Sequence, residues 1–249
     1  MMKAYEQIIT QLTTLGLKGI TKRIDEELNE AEKSKESYIS FLQRLLSSEL
    51  NYRVDKRFQR NMAGAHFPVR KEVDGFEFDK VTGISKKDLS QLLEFRWLDN
   101  HHNVLFFGPP GLGKTHLAIG IGVKAVEKGY IVCFERMTTL IRLLKTADIQ
   151  RSSAFRLNRM MKSDLLIIDE IGYTPIEKKE ANLFFNLVSE LYEKTSVLIT
   201  SNKGFQDWAE MMGDPIMTTA LLDRLLHHSN IYSLNGESYR IQNLKKEVQ

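Results

Sequence analysis

Cysteine is almost missing from this sequence, since Cys133 is the single cysteine in 249 residues. One thiol excludes an intrachain disulfide and a thiolate zinc cluster, so packing must hold the fold. Proline is also scarce, and no uninterrupted apolar run approaches the ~20 residues that cross a bilayer. The start of the chain has no apolar stretch typical of a secretory signal. We therefore expect a globular, cytoplasmic protein that has no membrane partner.

Neither sign of charge is in large excess. The chain has 35 basic and 32 acidic residues, a formal net charge of +3. So small a net charge does not by itself predict nucleic-acid binding, and the distribution of the charges matters more. Hydrophobic residues make up 42% of the chain, which is enough for a sizeable core.

The pattern of the sequence changes near residue 68. Apolar residues recur at helical spacing from Lys3 to about Ala63, and the stretch 64–71 then breaks this pattern with glycine and proline. Beyond it, short apolar runs typical of buried parallel strands alternate with helical stretches. We expect an all-helical domain over residues 1–68 and an α/β domain with a mainly parallel sheet over residues 69–249. The Asn235-Gly236 pair suggests a small hairpin that joins residues 231–234 to residues 239–241.

The most specific motif is a G-x-x-x-x-G-K-T phosphate-binding loop, which follows an apolar strand and precedes a helical pattern. Its glycines allow backbone N–H groups to face a phosphate, the lysine would reach the β- and γ-phosphates of ATP, and the threonine would bind Mg²⁺. A plain Gly-Pro turn explains neither the Lys-Thr pair nor the strand before it. We expect ATP to contact the loop and the next residue: Gly108, Pro109, Pro110, Gly111, Leu112, Gly113, Lys114, Thr115 and His116.

Polar residues also follow two further strands. The apolar run 165–168 leads into Asp169 and Glu170, which places two carboxylates at the edge of the sheet beside the loop. Asp169 would hold Mg²⁺, and Glu170 would polarise the attacking water. This pair favours ATP hydrolysis over phosphoryl transfer to a metabolite. Asn202 follows the next strand and either contacts the γ-phosphate or caps the following turn.

Two arginines near the end of the chain are further candidates. Arg224, on a helical stretch, would usually be a solvated surface residue. If subunits pack side by side, however, Arg224 could reach the γ-phosphate of a neighbour, as arginine fingers do. Arg240 could contact the phosphates of its own subunit.

The phosphate-binding loop, the Asp169-Glu170 pair, Asn202 and Arg224, in this order, resemble the motifs of an AAA+ ATPase. The residues around them, at 108–118, 165–173, 199–203 and 221–228, resemble the IstB proteins, which are ATP-binding helpers of insertion-sequence transposition related to the DnaC helicase loaders. The resemblance implies an AAA+ core with a mainly parallel five-stranded sheet after a small helical domain. It also implies ATP-dependent homo-oligomers on DNA, with ATP sites between subunits, and a transposase partner. By the same resemblance Glu170 is hydrolytic, Asn202 a sensor, Arg224 the finger and Arg240 a second sensor.

Two basic stretches are candidates for contact with double-stranded DNA. The first lies on one helical face, at Arg53, Lys56, Arg57 and Arg60. The second lies between two predicted strands, at Arg136, Arg142, Lys145, Arg151, Arg156 and Arg159. Either stretch alone could be a solvated helix face. Together they fit non-specific binding to the phosphate backbone, and no base-reading motif accompanies them.

Three functions are compatible with these features. The first is a transposition helper that assembles on DNA with ATP, prepares target DNA, recruits the transposase and is released by hydrolysis. The second is a DnaC-like replicative helicase loader, and the third is a nucleotide-switched DNA scaffold without hydrolysis, against which Glu170 and Arg224 argue. The pairs His101-His102 and His227-His228 predict no metal site, because adjacent positions point to different sides of a helix or strand.

Overall fold

The computed structural model describes residues 2–172 and 175–239. The contacts within the chain divide it into two compact units, Met1–Arg60 and Asn61–Gln249. This division falls inside the third helix, upstream of the boundary that the sequence predicts at residue 68. No helix in the described part of the chain is both long and apolar enough to span a bilayer.

Three helices make up the first unit, and the last of them continues beyond it. They are α1 (Met2–Thr14), α2 (Lys18–Ser34) and α3 (Tyr38–Ala65). Gly16 adopts a φ of 70°, which permits the turn after α1. Glu49 of α3 accepts hydrogen bonds from the backbone N–H groups of Gly19 and Ile20, at 2.6 and 3.2 Å. Glu49 thereby satisfies donors in the first turn of α2 that have no partner within the helix.

Buried carboxylates hold α2 and α3 together. Glu27 is 3% exposed, lies 3.2 Å from Arg44 Nε and accepts a 2.9 Å hydrogen bond from Ser48 Oγ. Burial alone would raise the pKa of Glu49, but hydrogen bonds from Arg53 and from the start of α2 outweigh it and hold that pKa below its usual value. The polar contacts therefore fix how these two helices pack.

The second unit contains a parallel sheet covered by helices. Its strands are β1 (Val81–Thr82), β2 (Asn103–Phe107), β3 (Val132–Arg136), β4 (Leu165–Ile171), β5 (Ser196–Ser201), β6 (Ser229–Ser233) and β7 (Asn235–Gly236). Its helices are α4 (Lys86–Leu92), α5 (Arg96–Asp99), α6 (Lys114–Lys128), α7 (Met137–Thr146), α8 (Arg151–Met160), α9 (Lys178–Leu191), α10 (Phe205–Met212) and α11 (Pro215–Leu226). Two 3₁₀ turns, Val73–Gly75 and Phe78–Lys80, precede β1.

The main sheet has the strand order β3-β4-β5-β2-β6, and all of its neighbouring strands are parallel. This arrangement confirms the predicted five-stranded parallel sheet. Every residue of β2 and β5 is buried. Strands that are covered on both faces read as continuous apolar runs, which is why the sequence shows them clearly.

Asn235 and Gly236, which the sequence predicts as a hairpin turn, lie in a strand. The preceding strand β6 pairs in parallel with β2, where Asn103 lies opposite Ser229. Asn235 and Gly236 instead form β7, which pairs antiparallel with β1. The Asn-Gly pair is a local turn signal, whereas the contacts of β6 and β7 join distant parts of the chain. Tyr239 is the last described residue, so the rest of the proposed second strand lies outside the described residues.

The two faces of the sheet have separate hydrophobic cores. On one face, alternate residues such as Leu166, Ile168 and Ile199 pack with α7, α9, α10 and α11 around the fully buried Phe184 and Trp208. On the other face, α6 lies so close to the sheet that a Cβ on Gly122 would come within 2.7 Å of Ile167 Cδ1. The buried sheet is therefore a rigid support for the loops at its edges.

Candidate functional site

The predicted phosphate-binding loop joins the end of β2 to the start of α6. Gly108, Gly111 and Gly113 adopt φ angles of 137°, 86° and 82°, which side-chain-bearing residues rarely adopt. A Cβ on Gly111 would come within 2.1 Å of Ser238 Oγ. The loop therefore requires its glycines for both conformation and space, and it ends at the amino terminus of a helix, where anions bind.

The loop lysine is positioned by the loop itself. Lys114 Nζ donates hydrogen bonds to the carbonyl oxygens of Gly108 and Pro109, at 2.6 and 2.8 Å. Its positive charge therefore lies inside the turn of the loop, beside the first backbone N–H groups of α6. This arrangement concentrates positive potential where phosphates would bind.

A buried carboxylate links three elements beside the loop. Asp169 of β4 is 1% exposed, and its Oδ1 accepts hydrogen bonds from Thr115 Oγ1 at 2.8 Å and from Thr200 Oγ1 at 2.5 Å. Its other oxygen, Oδ2, is buried and has no hydrogen-bond partner among the described residues. A buried carboxylate oxygen without a partner is costly, and hard cations such as Mg²⁺ prefer oxygen ligands. Thr115 and Asp169 therefore fit a Mg²⁺ ion.

Thr200 is a site residue that the sequence reasoning missed. Its Oγ1 accepts a 3.0 Å hydrogen bond from the backbone N–H of Glu170 and donates a hydrogen bond to Asp169. Thr200 therefore positions both acids. A threonine inside an apolar strand reads as an ordinary β-former, so only the register of β4 on β5 reveals its role.

Glu170 lies where β4 becomes irregular. The register of β4 on β5 shifts between Ile168 and Ile171, and Glu170 adopts a φ of 64°. This conformation is unfavourable for a residue with a side chain, and it turns Glu170 out of the strand. Its Oε2 lies 3.8 Å from Arg136 Nε, and both side chains are about half exposed. The predicted hydrolytic acid therefore faces solvent and a cation.

A cleft of about 570 Å³ brings most of the predicted nucleotide residues together. This volume is of the order expected for a site that binds a nucleotide-sized ligand. The predicted residues that line it are Pro110, Gly111, Gly113, Lys114, Thr115, His116, Glu170 and Asn202. The buried Oδ1 of Asn202 has no hydrogen-bond partner among the described residues, so it is available to a ligand. Gly108, Pro109 and Leu112 do not line the cleft, and Leu112 is 1% exposed in the core.

Part of the wall of the cleft was not predicted. It includes Pro68, Val69, Phe76 and Tyr239, none of which belongs to a periodic pattern. His116 joins this wall to the loop, because its Nε2 lies in hydrogen-bond contact with the Glu72 carbonyl at 2.7 Å. The irregular segment after α3 therefore contributes to the site, although its composition indicates only a linker.

Arg224 lies away from the cleft of its own chain. Its Nη1 donates to the Ala220 carbonyl at 2.8 Å, and its guanidinium lies 4.8 Å from the centre of the Phe185 ring. It lines a small depression with Asn103 and Thr195, at the amino ends of the strands rather than their carboxyl ends. Arg240 lies outside the described residues.

The first basic stretch forms one exposed helical stripe on α3. Arg53 is ion-paired with Glu49 at 2.6 Å, and Lys56 donates to Gln59 Oε1 at 3.1 Å. Arg57 and Arg60 are exposed. The predicted stripe is therefore present on the surface, with one of its four cations already paired.

The second basic stretch is divided by the fold. Arg136, Arg142 and Arg151 are exposed, and Arg136 is the cation beside Glu170. Lys145 is ion-paired with Glu180 at 2.7 Å. The remaining two cations of this stretch have partners inside the fold.

Arg156 and Arg159 are half-buried. Arg156 pairs with Glu135, and Arg159 Nε donates to the Gly64 carbonyl at 2.9 Å. Burial raises the pKa of Glu135 although Arg156 opposes the shift, so this acid depends on Arg156 as its counter-ion. The structure therefore argues against the predicted DNA contacts of Arg156 and Arg159. Charge alone could not reveal this, because the partner Glu135 sits inside an apolar strand.

The parallel sheet, the glycine loop and the carboxylate beside it define a P-loop nucleotide-binding protein with an AAA+ core. Solved structures of similar fold include the DnaC helicase loader, with a TM-score of 0.51, 20% identity and coverage of 59% of this chain and 86% of that chain. DnaI gives a TM-score of 0.56 with 15% identity, over 67% of this chain and 92% of that chain.

The family described as IstB-like ATP binding protein matches residues 10–247, and the chain belongs to this family. It is 40% identical to the insertion sequence IS21 putative ATP-binding protein of Pseudomonas aeruginosa, over 94% of this chain and 89% of that protein. It is 37% identical to the insertion sequence IS232 putative ATP-binding protein of Bacillus thuringiensis subsp. berliner, over 97% of both chains. These findings confirm the resemblance inferred from the motifs.

Proposed function

We propose that this protein is an ATP-hydrolysing, DNA-bound helper of insertion-sequence transposition. The observation that carries the hydrolytic part is the pair at the end of β4. Asp169 is buried with one unpartnered oxygen, and Glu170 is turned out of the strand into the cleft. A carboxylate that stays in the interior and one that reaches the solvent have different chemical roles.

The loop would hold the ATP phosphates through its backbone N–H groups and Lys114. Thr115 and Asp169 would hold Mg²⁺, which would neutralise charge on the β- and γ-phosphates. Glu170 would accept a hydrogen bond from the attacking water and orient it towards the γ-phosphate. Asn202 would use its unpartnered side-chain oxygen on the same water.

The position of Arg224 supports a homo-oligomer. Its guanidinium lies outside the cleft of its own chain, so a role in hydrolysis requires the cleft of a neighbour. ATP would then lie between two subunits, and its γ-phosphate would link nucleotide state to assembly.

The exposed face of α8 supports the contact with DNA. Residues 149–163 contain no acidic residue. Exposed side chains that can donate hydrogen bonds to phosphates surround Phe155, which is 74% exposed. They are Arg151, Ser152 and Asn158 on α8, with Lys162 just beyond its end. Arg151→Ala and Lys162→Ala should each weaken DNA binding and lower the log–log salt slope by about 0.9 for each phosphate that is no longer neutralised. The exposed Lys128, on α6, provides the control Lys128→Ala.

A transposase is the proposed protein partner. The relatives are ATP-binding proteins of insertion sequences and match over nearly their whole length. One face of α3 exposes an apolar stripe at helical spacing, as protein-binding surfaces do. The stripe consists of Ile39, Leu42, Leu46 and Leu50, which are 51–80% exposed.

Capture assays test this partner. The protein should bind a transposase of its insertion sequence, and Leu46→Asp should abolish this binding while ATP turnover persists. Ser47→Asp, at the neighbouring exposed position, is the matched control. Binding to a replicative helicase instead of the transposase would favour the helicase-loader function.

Steady-state hydrolysis with Glu170→Gln tests the enzymatic part. We expect turnover to fall by about 10²-fold or more, the usual contribution of a general base, while ATP binding is retained. Glu94→Gln, which changes an exposed acid beside Arg96, should behave as the wild type. Turnover of Glu170→Gln at the wild-type rate would refute the role of Glu170. Negligible wild-type turnover with and without DNA would instead favour the nucleotide-switched scaffold.

A further inference from the structure

A second polar cluster lies at the amino edge of the sheet, at the connections that lead into three neighbouring strands. The connection before β5 carries Glu193, the connection before β6 carries His227 and His228, and the connection before β2 carries His102. Because β5, β2 and β6 are neighbours in the sheet, these distant segments converge. The cluster is separate from the nucleotide cleft, which opens at the carboxyl ends of the strands.

The two adjacent histidines converge rather than diverge. The ring centroids of His227 and His228 are 4.1 Å apart. The prediction that these adjacent side chains point to different sides is wrong, because α11 ends at Leu226 and both histidines lie in the turn before β6. Three potential ligand atoms, one each from Glu193, His227 and His228, all lie within 4.8 Å of one another.

Side chains around the cluster orient the imidazoles. The Tyr192 hydroxyl shares a 2.8 Å hydrogen bond with Nδ1 of His227. The ring of His102 stacks on that of His228, with centroids 5.1 Å apart. A hydrogen bond to one ring nitrogen fixes the orientation of a histidine, as it does for histidines that bind metals through their other nitrogen.

One buried asparagine fixes the backbone beneath the cluster. Asn103 is 9% exposed, its Nδ2 donates to the Leu225 carbonyl at 2.9 Å, and its Oδ1 accepts from Val197 N at 2.9 Å. Its backbone N–H donates to the His228 carbonyl at 2.7 Å. The connections that carry the cluster are therefore tied to one residue, so the cluster stands on a rigid base.

We propose that Glu193, His227 and His228 form a binding site for a divalent transition metal of the zinc class. Two imidazole nitrogens and one carboxylate oxygen are a ligand set that Zn²⁺ accepts, with a fourth position open. Tetrahedral Zn²⁺ needs ligand atoms about 3.3 Å apart, so no separation has to close by more than about 1.5 Å. Exposed side chains at a turn can make this movement by rotation about their own bonds.

Contacts within its own chain hold the cation of Arg224 in place beside this site. Arg224 lines the same depression as Glu193 and His228, but its guanidinium is bonded to the Ala220 carbonyl and lies over the Phe185 ring. A bound ion would join the connection before β5 to the turn that follows Arg224. Metal binding would therefore stiffen the end of α11.

Cobalt titration of the full-length protein, free of any affinity tag, tests the site. Without ATP or DNA, and with excess Mg²⁺ to occupy hard oxygen sites, one Co²⁺ per chain should give the intense visible absorption of four-coordinate cobalt. Zn²⁺ should abolish this absorption. Because neither ATP nor DNA is present, the result is independent of the proposed function.

Variants locate the ligands. His228→Ala and Glu193→Gln should each weaken Co²⁺ binding by at least about tenfold. The control is His101→Asn, which changes an exposed neighbouring histidine. Asparagine tolerates the φ of 56° at this position, so the variant should bind Co²⁺ within about twofold of the wild type. If His228→Ala does not fold, Glu193→Gln decides, since it changes an exposed side chain. The weak spectrum of hydrated Co²⁺ with the wild type, or equal affinity of wild type and Glu193→Gln, would overturn the proposal.

Discussion

The two edges of the parallel sheet differ in how their polar side chains are held. At the carboxyl edge, Asp169 is 1% exposed and accepts hydrogen bonds from Thr115 and Thr200. At the amino edge, Asn103 supplies a buried hydrogen-bonded base, but the charged and imidazole groups above it face solvent. A buried network holds one ligand in one geometry, whereas an exposed cluster remains accessible to a second molecule. We infer that the carboxyl edge binds nucleotide and the amino edge meets a neighbouring subunit.

The largest expected effect of a change concerns Arg224. Arg224→Ala should lower ATP turnover by about 10³-fold or more, the range measured for arginine fingers. ATP affinity should stay near the wild-type value, because Arg224 does not line the cleft of its own chain. Steady-state hydrolysis and titration with a fluorescent ATP analogue measure both quantities, with Arg96→Ala, an exposed arginine elsewhere, as control. An equal loss of affinity would place Arg224 at the carboxyl edge, and the two edges would then not have separate roles.

The next effect concerns ATP affinity at the carboxyl edge. Lys114→Ala should weaken ATP binding by about 100-fold, because about 3 kcal/mol of charge-assisted hydrogen bonding to the phosphates is removed. The matched control is Lys124→Ala on the same helix, where the lysine pairs with Glu127. The same titration compares the two variants, and ATP binding that survives Lys114→Ala would contradict the assignment of the loop.

The phosphate loop and the two acids could be predicted because each lies directly after its own strand. In a parallel sheet, residues that directly follow the strands all lie at the carboxyl edge. The motifs therefore locate the nucleotide site even when the strand order is unknown. Four strands of the sheet, β2 to β5, were predictable for a related reason, because they are mostly buried and read as apolar runs. The fifth strand, β6, is largely exposed, so a count of five was expected only from the family resemblance.

The remaining features depend on contacts between distant segments. The pairing of β6 with β2, the buried Glu135 beneath Arg156 and the convergence of His227 with Glu193 all join residues far apart in the chain. No local pattern reveals such contacts. The cleft wall from Pro68 to Glu77 is irregular, so periodicity gave no signal there.

The stability of the amino edge should depend on the buried Asn103. Asn103→Ala should lower the free energy of unfolding by about 2–4 kcal/mol, because the buried Val197 N–H and Leu225 carbonyl lose their partner. Urea unfolding followed by circular dichroism measures the difference. Asn230→Ala, at an exposed position in β6, should change stability little. Similar stabilities of both variants would show that the amino edge does not depend on Asn103.

The smallest expected effect concerns the ion pair of Arg136 with Glu170. Arg136→Ala should raise DNA-independent turnover by up to about fivefold, because an exposed ion pair contributes at most about 1 kcal/mol to holding Glu170. Arg142→Ala changes an exposed arginine of the same basic stretch and should leave this rate unchanged. The hydrolysis assay without DNA compares them, and a lower rate for Arg136→Ala would mean that Arg136 supports the reaction.

We propose that Arg224 of one subunit completes the nucleotide site at the carboxyl edge of another. Mixing Lys114→Ala protein with Arg224→Ala protein tests it most directly, because neither variant alone should hydrolyse ATP. In a mixed assembly, an intact cleft on one chain can meet an intact Arg224 on the other. We predict that ATP hydrolysis reappears in the mixture in the presence of DNA. A mixture that stays as inactive as its components, although the two variants are shown to assemble together, would contradict the claim.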